Sequence, residues 1–165
     1  MRRRLKTLIV RAAAFVLSAA AIACGGGGGG GSSSAPPTAP TPTNNVNIAG
    51  SWTGSAYDAA GNASGSGVMT WQITQSGASF SGQVTMTDSG TSVTGRGTVS
   101  GTVSGSSITF SISVPAGGFD SPFASCTANV TGSGVAADTS INGNYTGSNS
   151  CSGAISSGQI TLNKQ

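Results

Sequence analysis

From about Val46 onward, apolar residues alternate with Ser, Thr, Asn and Gln. That is the period-two signature of strands with one buried face, and no helical period accompanies it. The first run carries Ile48, Trp52 and Ala56 on one face with Gly50 and Gly54 between them, and the second sets Met69, Trp71 and Ile73 against Thr70, Gln72 and Thr74. Phe80, Val84 and Met86 mark a third, and Val93, Val99 and Val103 a glycine-rich fourth. A fifth alternates Ile108, Phe110, Ile112 and Val114 with Thr109, Ser111 and Ser113. The sixth places Ala124, Cys126, Ala128 and Val130 on one side, the seventh Ile141, Gly143 and Tyr145, and the eighth Ile160 and Leu162.

Short turn sequences separate these runs, among them Gln75-Ser76-Gly77-Ala78, Asp88-Ser89-Gly90, Ser104-Gly105-Ser106 and Ser148-Asn149-Ser150. Short turns make sequential neighbours antiparallel. Eight such strands, each with one apolar face, predict an all-β domain: an eight-stranded antiparallel up-and-down barrel, with a β-sandwich as the alternative. The barrel is favoured because it removes exposed edges, and this chain has few of the lysines and prolines that guard them. Inward glycines such as Gly82, Gly95, Gly97 and Gly101 either let the strands bend sharply or leave room for a ligand.

The beginning of the chain is different in kind. Residues 2 to 11 are cationic, residues 12 to 20 are apolar or small, and small residues then lead to Cys24, the plan of an export signal. Arg11 interrupts the apolar run, which leaves it shorter than the roughly 20 residues a membrane-spanning helix needs. The tetrad Ala21-Ile22-Ala23-Cys24 resembles the lipobox of bacterial lipoproteins, with Ala21 standing where leucine is usual. The resemblance implies that the Cys24 thiol is joined to diacylglycerol, that cleavage leaves Cys24 first, and that acyl chains anchor the product in a membrane. Gly25, rather than aspartate, follows the cysteine, which in Gram-negative lipoproteins implies the outer membrane. Seven glycines, three serines and a Pro/Thr stretch then run to Thr43; they can bury nothing and make a flexible to extended tether. The expected division is a signal peptide over 1–23, a lipidated cysteine and linker over 24–45, and a barrel domain over 46–165.

Within the domain, Gly50-Ser51-Trp52 resembles the Gly-x-Trp opening of the lipocalins and the avidin family, both eight-stranded barrels that hold small molecules. The resemblance implies an interior ligand and a tryptophan, Trp52, closing one end. The later lipocalin motif around Thr-Asp-Tyr is absent. On this reading Trp52, Trp71, Phe110 and Tyr145 line a cavity for an apolar or amphipathic molecule. The longest unpatterned connection, with Asp120 flanked by Phe119 and Phe123, supplies the mouth. The competing expectation is a filled barrel or sandwich that serves as an interaction or structural module.

Charge and chemistry narrow the field further. The whole chain carries +3, but five of its seven cations precede Cys24; from there on Arg96 and Lys164 face Asp58, Asp88, Asp120 and Asp138, a net −2. Nucleic-acid binding therefore has no basic patch to rest on. With no histidine and no glutamate, the many serines have no base to activate them, and neither an enzyme nor a metal or other cofactor is expected. Asp58 with Asp88 is the one conceivable acid pair for glycoside hydrolysis, although turn positions in solvent account for both. If Cys24 is consumed by lipid, Cys126 and Cys151 remain to form a disulfide, which requires an oxidising compartment.

Overall fold

In the computed structural model, which describes residues 44–60 and 63–165, the alternating runs become eight strands. They are β1 (Gly50–Ala60), β2 (Ala63–Ser76), β3 (Ser79–Asp88), β4 (Thr94–Ser104), β5 (Ser107–Val114), β6 (Ala128–Ala136), β7 (Ser140–Asn149) and β8 (Gly153–Lys164). The signal segment 1–23, Cys24 and the tether as far as residue 43 lie outside the described residues.

Each strand pairs antiparallel with the next, and β8 pairs with β1, so the sheet is a closed barrel and not a sandwich. Following Gly50 through its successive partners Ile73, Gly82, Val99, Ile112, Val130, Gly147 and Ile155 leads back to β1 at Ala60, ten residues further along. That stagger is about 33 Å against a girth of about 38 Å for eight strands. The strands therefore tilt by about 40°, and the interior is just wide enough to be filled by side chains or to take one small ligand.

The pleat sorts the residues as the alternation requires. Along β5, Ile108, Phe110, Ile112 and Val114 are buried and the residues between them exposed. Outside, hydroxyls pair across strands at Thr53–Thr70, Thr87–Thr94 and Thr102–Thr109. Tyr57, Val68, Phe123 and Val135 are the large apolar residues exposed among those described. A polar exterior around an apolar interior is the inverse of a membrane-spanning barrel, which needs an apolar outer band.

Inward glycines accommodate rings. A Cβ on Gly101 would lie 2.7 Å from Phe80 Cζ, and one on Gly132 would strike the Phe110 ring. At Gly82 and Gly97 a Cβ would run into the Gln72 and Ser113 carbonyls, so there the missing side chain lets neighbouring strands close up at a bend.

One end of the barrel is plugged by residues 44–49. Asn45 Oδ1 accepts from Gly105 N–H (2.9 Å), and Val46 N–H donates to Gly105 O (2.9 Å). Gln75 accepts from Ile48 N–H (2.7 Å) and donates to Val46 O (3.1 Å). Asn45, read from sequence as linker, thus belongs to the folded unit. Ile48, read as part of the first strand, instead fills the plug with its side chain fully buried. Gly50, at φ 125°, makes the turn from plug into strand, a conformation other residues rarely adopt. Two further boundaries shift: Ala124 and Cys126 precede β6, since Cys126 N–H donates to Phe123 O inside a loop, and Val93 precedes β4, its carbonyl closing a turn onto Asp88 N–H.

Candidate functional site

The opposite end carries the connections β3–β4, β5–β6 and β7–β8, and it is built around residues 115–127. Pro115, without an N–H, ends β5. β4 extends beyond β5, whose ladder with it ends at Thr98–Ser113. The first residues of β4 therefore have free backbone groups, and the loop folds back to use them. Arg96 N–H donates to Gly118 O (2.8 Å), and Asp120 N–H donates to Thr94 O (3.0 Å). This rung puts the Phe119 ring over Gly95, where a Cβ would come within 2.7 Å of it. The Asp120 carboxylate accepts from Arg96 Nη1 (2.7 Å) and Thr94 N–H (3.2 Å), and the guanidinium beside it holds its pKa below the usual carboxylate range.

The far side of the loop is tied to the β7–β8 turn. Cys126 and Cys151 form a disulfide, and Thr127 and Ser150 exchange two hydrogen bonds beside it, at 2.9 and 2.8 Å.

Beneath this cover lies a cavity of about 50 Å³, lined chiefly by Met69, Val84, Met86, Ile112, Val130, Ile155, Phe119 and Tyr145. Such a space holds a water or two or a few carbon atoms. It shares Asp58, Met86, Gly95, Phe119 and Asn149 with a basin of about 370 Å³ that reaches out past Asp88, Phe123 and Cys151. A volume of that order suits a small ligand.

Two carboxylates stand at the junction. Asp58 and Asp88 both reach over Gly65, where a Cβ would lie 3.0 Å from Asp58 Oδ1 and 3.4 Å from Asp88 Oδ2. Burial pushes the Asp58 pKa up, and the charge of Asp88 adds to this against a hydrogen bond from Gly65 N–H. Asp88 is shifted down, because its Oδ1 accepts from Thr91 N–H (2.7 Å), Thr91 Oγ1 (2.8 Å) and Gly90 N–H (3.0 Å). Next to Asp58, the Tyr145 hydroxyl donates to Tyr57 O (3.2 Å), and burial together with the Asp58 charge drives its pKa far up, so it stays a neutral phenol.

The residues singled out from sequence are divided between the two ends. Tyr145 and Phe119 line the cavity and Phe123 the basin, whereas Asp120 is engaged in the latch to β4. Trp52, Trp71 and Phe110 belong to the filled half. The Trp52 indole donates to Ile48 O (2.8 Å), with Lys164 Nζ 5.3 Å above the ring, so Trp52 lies directly against the plugged end. Trp71 and Phe110 meet edge to face at 5.3 Å, and Trp71 Nε1 is buried without a hydrogen-bond partner. Asp88, read from sequence as a solvated turn residue, does end β3 and hold the turn that follows, whereas Asp58, read the same way, stands within β1 and is turned inward. The signal was its phase: Asp58 is two residues from Ala56.

Among the described residues, no group of three His, Cys, Asp or Glu side chains could hold a metal ion. The arrangement offers an apolar recess with carboxylates at its rim. No protein-family model matches this chain, and no curated protein matches it.

Proposed function

We propose that this chain is a cell-envelope lipoprotein, exported and anchored in the outer membrane through acylated Cys24, whose barrel takes a small apolar or amphipathic molecule at its mouth. The observation that carries this reading is the apolar cavity under Phe119, continuous in its lining with the larger basin. The disulfide fits an oxidising compartment outside the cytoplasmic membrane.

A second reading is favoured by the other half of the barrel, where Trp52, Trp71 and Phe110 are buried together in the core: a ligand-free module that works through its surface.

Two measurements test the proposal. Mass analysis of the membrane-extracted chain is expected to find diacylglycerol and a further acyl group on Cys24 as first residue, and Cys24→Ser is expected to release the protein from the membrane fraction. Titration with the neutral dye N-phenyl-1-naphthylamine is expected to saturate at one site, and Met86→Trp, which fills the recess, to abolish it. A folded wild-type chain without saturable binding turns the reading over to the surface module.

A further inference from the structure

We infer that the barrel mouth selects organic cations: a ligand with a short apolar body seated among Met69, Met86 and Phe119 and an ammonium group held at Asp58 and Asp88. The inference rests on the cavity reading above and adds the charge of the head group.

The apolar recess and the two carboxylates are one continuous site. Asp58 lines both the inner cavity and the basin, and Asp88 lines the basin. Neither has a cationic partner among the described residues. Among the described residues the cations are Arg96 and Lys164. Arg96 is committed to Asp120 at 2.7 Å. Lys164 sits at the plugged end, where Nζ reaches Asn47 O (3.4 Å) and the Trp52 ring. Three carboxylates and one paired guanidinium thus leave the mouth anionic, and low-dielectric walls strengthen the field inside a concave site. Two like charges over Gly65 repel each other, and burial penalises Asp58 further. A cation between them relieves both. An anionic head group adds a third negative charge to the same spot and is disfavoured.

Three probes with one tail separate the possibilities: hexyltrimethylammonium, hexanol and hexanesulfonate, added to the full chain in lipid nanodiscs. The methyl resonances of Met69 and Met86, labelled with carbon-13, report occupancy, since Met69 and Met86 are the methionines of the barrel and both line the cavity. The cation is expected to bind about tenfold or more tighter than the sulfonate, with hexanol between, and the difference to shrink as salt rises. Asp58→Asn with Asp88→Asn keeps the turn acceptor at residue 88 and is expected to bring the three probes within about threefold of one another while hexanol binding persists. Equal affinities in the wild-type chain overturn the cation preference and leave the cavity reading standing. Binding by none of the three overturns both. Calcium alone, if it shifts the same methyls and displaces hexyltrimethylammonium at equal concentration, reassigns the carboxylates to a metal ion and overturns the inference.

Discussion

At the scale of single residues, the mouth holds two aspartates whose environments pull in opposite directions. Asp58 on β1 faces Asp88 from β3 and the neutral Tyr145 from β7, and it is pushed up by burial first and by the Asp88 charge second. A folded pKa above the unfolded one means that the native chain binds this proton more tightly. Stability therefore falls as pH rises from the ordinary carboxylate value of 3.8 through the raised value, and the loss persists at neutral pH. Asp88 has the reverse sign: its hydrogen bonds to Thr91 and Gly90 stabilise the fold above the ordinary value, and that contribution is lost as pH falls through its lowered pKa. Asp58→Asn is accordingly expected to raise the melting temperature at pH 7, with the gain vanishing in acid, where the wild-type carboxyl is itself neutral. Asp88→Ala is expected to lower it at pH 7. Thermal scans from pH 3 to 7 check both signs, and a stabilisation by Asp58→Asn that is as large at pH 3 as at pH 7 rules out the electrostatic account.

Among the elements, the strands were legible because each needs only its own alternation to say which face is buried. Closure followed from the shortage of edge protection in a chain of eight short-linked strands. What was not legible depends on stagger. The rung between residues 118–120 and the start of β4 exists because β4 overruns β5, and the Arg96–Asp120 contact joins residues 24 positions apart. Nothing local marks Phe119 as the cover of the cavity. The plug was similarly hidden, since Ile48 is in phase with Trp52 and only the turn at Gly50 separates it from β1. Its hold on the barrel is shared between the Gly105 backbone and the side chain of Gln75, which serves Ile48 N–H, Val46 O and Gly77 O. Gln75→Ala leaves the Ile48 and Val46 groups without that partner and is expected to cost about 1–3 kcal/mol. Denaturant unfolding measures the cost. Tryptophan fluorescence in the native baseline is expected to shift to the red, because Trp52 lies directly beneath the plug and bonds to Ile48 O. An unchanged baseline with full stability places the plug's hold elsewhere.

For the whole molecule, the two ends of the barrel are built differently, and this sets how each responds to damage. The plugged end is closed by backbone pairing and by Ile48, Trp52, Ile141 and Leu162, all without exposed surface. The mouth end is closed by a loop tied down by one ion pair, one short rung, the Cys126–Cys151 bridge and the Thr127–Ser150 hydrogen bonds beside it. The bridge spans 25 residues, for which chain entropy gives about 3.5 kcal/mol, and those residues include all of β6 and β7. Losing it therefore loosens the unfolded chain most and the mouth loop next, while the ladder from β1 through β8 keeps every hydrogen bond it had. Replacing both cysteines by alanine is expected to lower global stability by about 2–4 kcal/mol. Amide exchange is expected to quicken over residues 115–127 and 150–152 far beyond that global loss, with the centre of each strand slowed or quickened only in proportion to it. If the strands and the loop instead gain exchange together, the mouth is not a separable lid, and cover and barrel open as one cooperative unit. The distinction bears on access to the recess: a lid that loosens alone admits a ligand past Phe119 while the aromatic half of the core stays packed.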